Sequence, residues 1–500
     1  MAFIRKGQSK RRKKKGKQMS DQGVMARKSV AAIIASGDAA GHGLAKALGP
    51  WSITAMGIGA IIGAGIFVLT GTAAAHFAGP GIMLSFVFGG IACAFVGLCY
   101  AELAALLPVA GSTYSYTYAT LGELAAWIIG WDLVLEYAMG ASTVAVGWSG
   151  YIVSLLRNFG INVPPAFAAA PGTIVKLADG STISGIVNIP AALIIGILTV
   201  MLMLGTKESA RVNNIMVAIK LVVVVAFILL GIGFVHPENW HPFVPDNTGT
   251  FGEFGWSGVL RGASVVFFAF IGFDAVSTCA QEAKRPQRDM PIGILGSLII
   301  CTILYIAVAA VLTGIVPYTE LAVPDPIAKG VDAIGLAWFS VLIKLGALTG
   351  LTTVILVLLY GQSRIFFTMS SDGLMPTLFS RVHPTLKTPY LSQLLIGIIV
   401  AVVAALTPID VLGEMVSIGT LFAFVLVCGA VMYLRRSDAD VARPFRAPGV
   451  PWVPILGILF CLALMLGLPL VTWVRLVVWL VIGLVIYFAY GSRHSLLGRT

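Results

Sequence analysis

Charge is what this sequence lacks most. Lysine, arginine, aspartate and glutamate together make up 11% of its 500 residues, against 58% hydrophobic ones. A soluble globular chain carries about 25% charged and about 45–50% apolar residues. The shortage excludes a soluble domain and points to a polytopic membrane protein. Cysteine is also scarce: six residues, at 93, 99, 279, 301, 428 and 461, all within apolar stretches. Their spacing fits neither a disulfide framework nor a metal site, so they read as small core residues. The histidines are scattered without ligand spacing, and no Walker-type loop is present. The GxG pairs follow no strand in a βαβ setting and carry no nucleotide fingerprint. No metal and no other cofactor is expected, and ATP-driven transport is disfavoured.

The positive charge that is present is unevenly placed. Residues 1–48 hold twelve Lys or Arg against Asp21 and Asp38, which is +10 of the net +11 and leaves +1 for the rest. The run "KRRKKKGK" (Lys10–Lys17) is too charged and too early to be the apolar core of a signal peptide. Such a run can bind nucleic acid, but none is the expected partner here. Ahead of apolar spans it reads as a cytoplasmic tail beside anionic lipid, where each basic residue adds about 1 kcal/mol.

A membrane-crossing helix takes about 20 apolar residues. Twelve candidates fall near 51–77, 81–107, 124–156, 184–204, 211–235, 257–280, 291–316, 336–367, 391–407, 411–434, 452–469 and 472–490. With the N-terminus inside, the cytoplasmic joints carry twelve Lys or Arg, among them Lys207, Lys284, Arg285, Arg381, Arg435 and Arg443. The opposite side has five: Arg157, Lys176, Lys329, Arg261 and Arg475. By the positive-inside rule both termini are cytoplasmic.

One stretch within the first candidate span raises a question. "GAIIGAGIFVLTG" (59–71) sets Gly59, Gly63 and Gly65 in a helix interior, where each costs about 1 kcal/mol relative to alanine. Gly59 and Gly63 form a GxxxG that can serve as a packing face. The other reading is an unwound hinge at Gly63-Ala64-Gly65. Five spans later "GASVVFFAFIGFDAVSTCAQE" (262–282) carries Gly272, Phe273 and Asp274 in a second apolar stretch. Interruptions in the first and sixth spans fit two five-helix halves of inverted topology, with the binding site at the breaks. The expected organisation is a tail over 1–48 and a first half over 49–235 (helices 1–5). A second half covers 236–407 (helices 6–9) and continues into helix 10 to 434, with helices 11–12 over 452–490.

The segments "GIGAIIGAGIFVLTG", "CYAELAALLPVAGSTYSYTYATLGELAAWIIGWDLVLEY", "VAIK", "FIGFDAVSTCAQEAKRPQRDMPIGI" and "GQSRIFFTMSSDGLMP" resemble the amino acid–polyamine–organocation (APC) superfamily. The likeness runs from about Leu44 to His494, and it is to bacterial permeases related to the cationic amino acid transporters. It implies an all-α, leucine-transporter-type 5+5 inverted repeat of about 12 helices with helices 1 and 6 broken. It also implies secondary transport of amino acids, often coupled to protons, and no enzymatic activity. By the same resemblance Glu136, in "LEY", matches an acid near the core. Lys220 takes the place of a sodium ion found in sodium-using relatives, which argues for protons. A static strut from Lys220 to Glu136 is the alternative.

Ionisable groups within spans are functional candidates by default. Asp132 and Glu136 stand at i,i+4 on one helix face, where two like charges disfavour joint ionisation. Asp274 is a proton carrier or gate, or else a cap on the helix that restarts beside it. Glu102 and Glu123 read as structural, with a place on the inner pathway as the alternative for Glu102, and Lys344 as snorkelling to the outer surface. The substrate's carboxylate suits the N–H groups opening at Gly63, Ala64 and Gly65. Its ammonium suits carbonyls near Ile61 and in the Phe268–Ile271 turn. The side chain then meets Phe268, Ile271 and, by the resemblance, Leu358. That wall is apolar, and an unpaired buried charge is costly against it. Proton-coupled symport of small or medium neutral amino acids is the leading expectation. Exchange by the same fold and transport of cationic amino acids are the alternatives. A channel would need repeated polar rings along a pore, where isolated charges stand instead.

Overall fold

The computed structural model describes residues 48–496 except 108–111, 177–180, 206–209, 275, 278–279, 281–282, 387 and 438–440. The basic run and most of the tail therefore lie outside the described residues, as does Cys279. The chain is built almost entirely of helices. The first is α1 (Pro50–Ile61), followed by a helical run over 65–78 that contains α2 (Thr70–Ala73) between two wider π turns. Then come α3 (Ile82–Leu106), α4 (Ser112–Thr120), α5 (Glu123–Asn158), α6 (Ile189–Leu204) and α7 (Ala210–Gly231). Further on are α8 (Gly255–Val266), α9 (Pro286–Ile315), α10 (Pro326–Ala333) and α11 (Ala337–Ser371). The C-terminal part holds α12 (Tyr390–Leu406), α13 (Ile409–Ser437), α14 (Trp452–Leu466), α15 (Leu470–Ile486) and α16 (Ser492–His494). One small antiparallel pair, β1 (Ile174–Lys176) and β2 (Thr182–Ser184), sits between α5 and α6 with Val175 opposite Ile183.

Helix occupies each of the twelve expected stretches. Among the described residues, seven helices are long and apolar enough to cross a membrane, and four more are shorter apolar helices. The starts follow local chemistry. Proline opens α1, α9 and α10, where its missing N–H costs nothing. Asn188 caps α6 by accepting from Ala191 N–H at 3.2 Å, and Gly205 ends that helix with φ +74°.

Helix α5 is the central post, with α11, α13, α4 and α6 packed along it, while α9 lies against α1 and α3. The apolar side chains that point outward, such as Leu193 and Ile197 on α6 and Val477, Val481 and Val485 on α15, are exposed. A surface this apolar belongs in hydrocarbon. The bundle centre instead buries polar groups: Asp132, Glu136, Lys220 and Asp274 are each at most 2% exposed.

Candidate substrate and coupling site

The site is made by two interruptions that face each other. Helix α1 stops at Ile61 because Ile62 turns extended (φ −71°, ψ 104°), and helical backbone resumes at Gly65. Helix α8 tightens into a 3-10 turn over Phe267–Phe270, after which Ile271 is extended and Gly272 adopts φ +116°. Only glycine takes that φ readily, and a Cβ there would also stand 2.7 Å from Ala60 O. A Cβ on Gly65 would run into the backbone of Ala269, 2.8 Å from its nitrogen and nearer still to its Cα. The two breaks therefore touch backbone to backbone.

Each broken end exposes carbonyls that need donors. Lys220 Nζ, reaching from α7, donates to Gly59 O at 2.7 Å and Ile62 O at 3.0 Å. Its cation thus sits at the C-terminal end of α1, where the helix dipole favours positive charge. Tyr305 OH, from α9, lies 2.9 Å from Ile61 O and 2.8 Å from Ala269 O, so one hydroxyl bridges both breaks. Ile271 N–H donates to Phe268 O at 3.2 Å, and Asp274 Oδ1 accepts from Gly272 N–H at 3.2 Å. The leading N–H groups of the restarted helix, from Gly63 to Gly65, have no turn behind them to bond to.

Between the breaks lies a cavity of about 30 Å³, space for one or two waters. Of the residues expected at the site, Ile61, Gly63, Ala64, Phe268, Ile271 and Leu358 line it, and so do Glu136 and Asp274. Val144 and Val354 extend the apolar wall.

Two expected members stand elsewhere. Gly65 is not a lining residue, because its free side is filled by Ala269. Lys220 stands behind α1 and reaches the site only through the α1 carbonyls. The strut from Lys220 to Glu136 does not form: among the described residues no carboxylate pairs with Lys220. The GxxxG pair divides in function, since a Cβ on Gly59 would meet Val217 while Gly63 faces the cavity. Carbonyl O of Ile61, expected to be free for a ligand, is already engaged by Tyr305. As for Asp274, its carboxyl takes the Gly272 N–H, but much of the segment after it lies outside the described residues.

Glu102, Glu123 and Lys344 have structural partners, whereas Asp132 is buried and neither of its oxygens has a hydrogen-bond partner among the described residues. Glu102 accepts from Arg435 Nε at 3.0 Å and Nη2 at 2.6 Å and from Ala447 N–H at 2.7 Å. Glu123 accepts from Tyr118 and Tyr487, each at 2.9 Å, and from Ser495. Lys344 does not snorkel. It is buried and donates to Asn158 Oδ1 at 3.2 Å, with Asp332 at 3.9 Å. Tyr305 is the member that sequence reading passed over. Its only signal was a lone aromatic hydroxyl in the apolar run "CTILYIAVAA" (301–310).

Comparison with known proteins identifies the family. A family model described as amino acid permease matches residues 48–489. The chain is 50% identical over 479 residues to the branched-chain amino acid permease BcaP of Bacillus subtilis, covering 95% of this chain and 99% of that protein. It is 46% identical over 456 residues to the methylthioribose transporter of the same organism, covering 91% and 95%. Cationic amino acid transporter 9, chloroplastic, of Arabidopsis thaliana is 36% identical over 525 residues, with 91% and 89% covered. The chain belongs to the amino acid permease family of the APC superfamily, and is an integral membrane transporter rather than an enzyme.

Proposed function

We propose that this permease is a proton-coupled symporter of neutral, branched-chain amino acids, working by alternating access. Its twelve spans form a leucine-transporter-type bundle of two inverted five-helix halves with the first and sixth broken, in the cell membrane with both termini cytoplasmic. The observation that carries the reading is the cavity wall. Val144, Phe268, Ile271, Val354 and Leu358 suit an aliphatic side chain beside the two breaks. The name of the 50% identical relative points to the same substrates.

In this reading the substrate's carboxylate takes the N–H groups at Gly63–Gly65, and the helix dipole favours that anion. The ammonium is left to the second lone pairs of the break carbonyls and to Asp274. A branched-chain amino acid is far larger than the cavity, so Phe268, Leu358 and the break segments must part to admit it. Lys220 supplies a fixed cation at the end of α1, so no sodium is needed there. Its ammonium ties that helix end to α7 through the carbonyls of Gly59 and Ile62. Glu136, on the cavity wall, exchanges protons with the same aqueous path.

A second reading has an observation in its favour. Glu136 and Asp274 both line the cavity, and a cationic side chain could pair with either. The test is uptake into liposomes of leucine, isoleucine, valine, arginine, lysine and methylthioribose, with and without an inward proton gradient. The proposal expects concentrative, gradient-driven uptake of the three aliphatic substrates, indifferent to sodium. Preferred uptake of arginine or lysine would replace the substrate assignment. Strict one-for-one exchange without a response to the gradient would replace symport.

A further inference from the structure

Helix α5 carries a second buried acid that nothing in the site so far uses. Asp132 lies one turn from Glu136, toward the Glu123 end of the helix, and is fully buried. Among the described residues neither of its oxygens has a hydrogen-bond partner, and Glu136 Oε1 has none either. Across from them α13 presents no side chain at Gly419, whose Cβ would stand 3.1 Å from Asp132 Oδ1. The Thr420 hydroxyl faces Glu136 but is itself buried without a direct hydrogen bond. Among the described residues no base pairs with these acids. Of the elements packed on α5, none of α4, α6, α11, α12, α13 or α15 pairs an arginine, lysine or histidine with either carboxyl. The titratable groups that face Glu136 are Asp274 across the cavity, Tyr100 of α3 and Tyr137 of α5, along with Asp132 itself.

Two ionised carboxylates at i,i+4, both buried and uncompensated, are strongly disfavoured. At least one proton must therefore reside on the pair, and the Asp132 carboxyl, whose oxygens have no hydrogen-bond partner among the described residues, is available to receive it. We propose that Asp132 is a second proton-carrying acid of the transporter, receiving the proton from Glu136 and handing it toward the N-terminal end of α5. In the transfer the O–H bond on Glu136 breaks as one forms on Asp132, directly or through one water, and the pair keeps its total charge. In the orientation proposed above that end of α5 is cytoplasmic, so Asp132 is the inner stage of the proton's exit. The inference rests on the proton-coupled reading.

The test uses the full-length protein in liposomes with leucine as probe and two readouts: accumulation driven by an inward proton gradient, and counterflow exchange without a gradient. Asp132→Asn keeps the shape and removes the proton site. It should lose gradient-driven accumulation while retaining counterflow. Asp132→Glu keeps a carboxyl and should retain coupling, with the pH at half-maximal uptake displaced from the parent's. If Asp132→Asn accumulates leucine as the parent does, Asp132 carries no proton and the inference falls. Should Asp132→Asn not fold, the Asp132→Glu profile decides, and a curve superimposable on the parent's overturns the assignment. A parent that ignores the proton gradient would instead refute the coupled reading itself, before any variant is compared.

Discussion

Tyr305→Phe tests whether the two breaks are held together by one hydroxyl. The substitution keeps the ring, which packs against Phe86 at 5.4 Å and Phe270 at 5.5 Å between centroids. It removes only the oxygen that lies within 2.9 Å of both Ile61 O and Ala269 O. Tyr305 is fully buried, so water cannot take the vacated place without opening the helix contact. A single O–H donates to one carbonyl at a time, so one net hydrogen bond is lost and a buried acceptor is left unmet. That combination costs about 1–3 kcal/mol. The cost falls on substrate binding to the extent that the bridged arrangement is the binding-competent one. Leucine affinity should therefore weaken about 5- to 150-fold, at about 1.4 kcal/mol per factor of ten. The assay is equilibrium binding of labelled leucine to purified protein. Tyr118→Phe serves as the control, because it removes one of three donors to Glu123 away from the cavity and should leave affinity unchanged. Affinity of Tyr305→Phe within twofold of the parent, with the control also silent, would refute the claim that this hydroxyl fixes the breaks.

Other substitutions probe separate parts of the site. Gly65→Ala should abolish leucine binding, and adding Ala269→Gly should not restore it, because the obstruction includes the Ala269 backbone and not only its methyl; restored binding in the double variant would show that side chains alone set the contact. Replacing sodium by choline should leave uptake by the parent unchanged, since the Lys220 ammonium already occupies the carbonyls at the end of α1; strict sodium dependence would remove that role from Lys220. Leu358→Ser should broaden the substrate range rather than switch it, as a methylene-scale change in an apolar pocket moves discrimination by only about 1–3 kcal/mol; a competition profile identical to the parent's would place Leu358 outside the pocket.

Much of the architecture could be read from composition because hydrocarbon allows few solutions: a run of apolar residues must become helix, since its backbone finds no other partner in lipid. The breaks could be read for a related reason. Glycine is expensive in a helix interior, so Gly63 and Gly272 each signal a local requirement, and the structure supplies it in the bend at Ile62 and the positive φ of Gly272. What sequence could not give is which acceptors are already taken. Tyr305 is one aromatic among many along the chain, and its role depends on α9 lying against α1, a long-range contact without local pattern. Lys344 misled for a similar reason. Its position near a helix end suggests a side chain reaching outward, whereas packing buries it and sets its ammonium on Asn158 at the end of α5.

The distribution of partners at the first break bears on how a transporter can bind a substrate's carboxylate without a cationic side chain at the contact. The C-terminal carbonyls of α1 are met from within the protein, by Lys220 at Gly59 and Ile62 and by Tyr305 at Ile61. Among the described residues the N–H groups that open the restarted helix have no comparable acceptor built around them; Gly63 and Ala64 line the cavity instead. A broken helix offers one negative and one positive end. With the negative end stabilised by a fixed ammonium, the positive end is what remains for a ligand, and it suits a carboxylate. The apolar wall then has only the aliphatic part to recognise. Removing the ammonium reverses this balance: with Lys220→Met the carbonyls of Gly59 and Ile62 lose their shared donor, and the end of α1 becomes a competing site for cations. Binding of leucine by that variant should weaken and should acquire a dependence on sodium that the parent lacks, measured by equilibrium binding in sodium against choline. Leucine affinity unchanged from the parent in either salt would show that the carbonyl end of α1 plays no part in holding the break open.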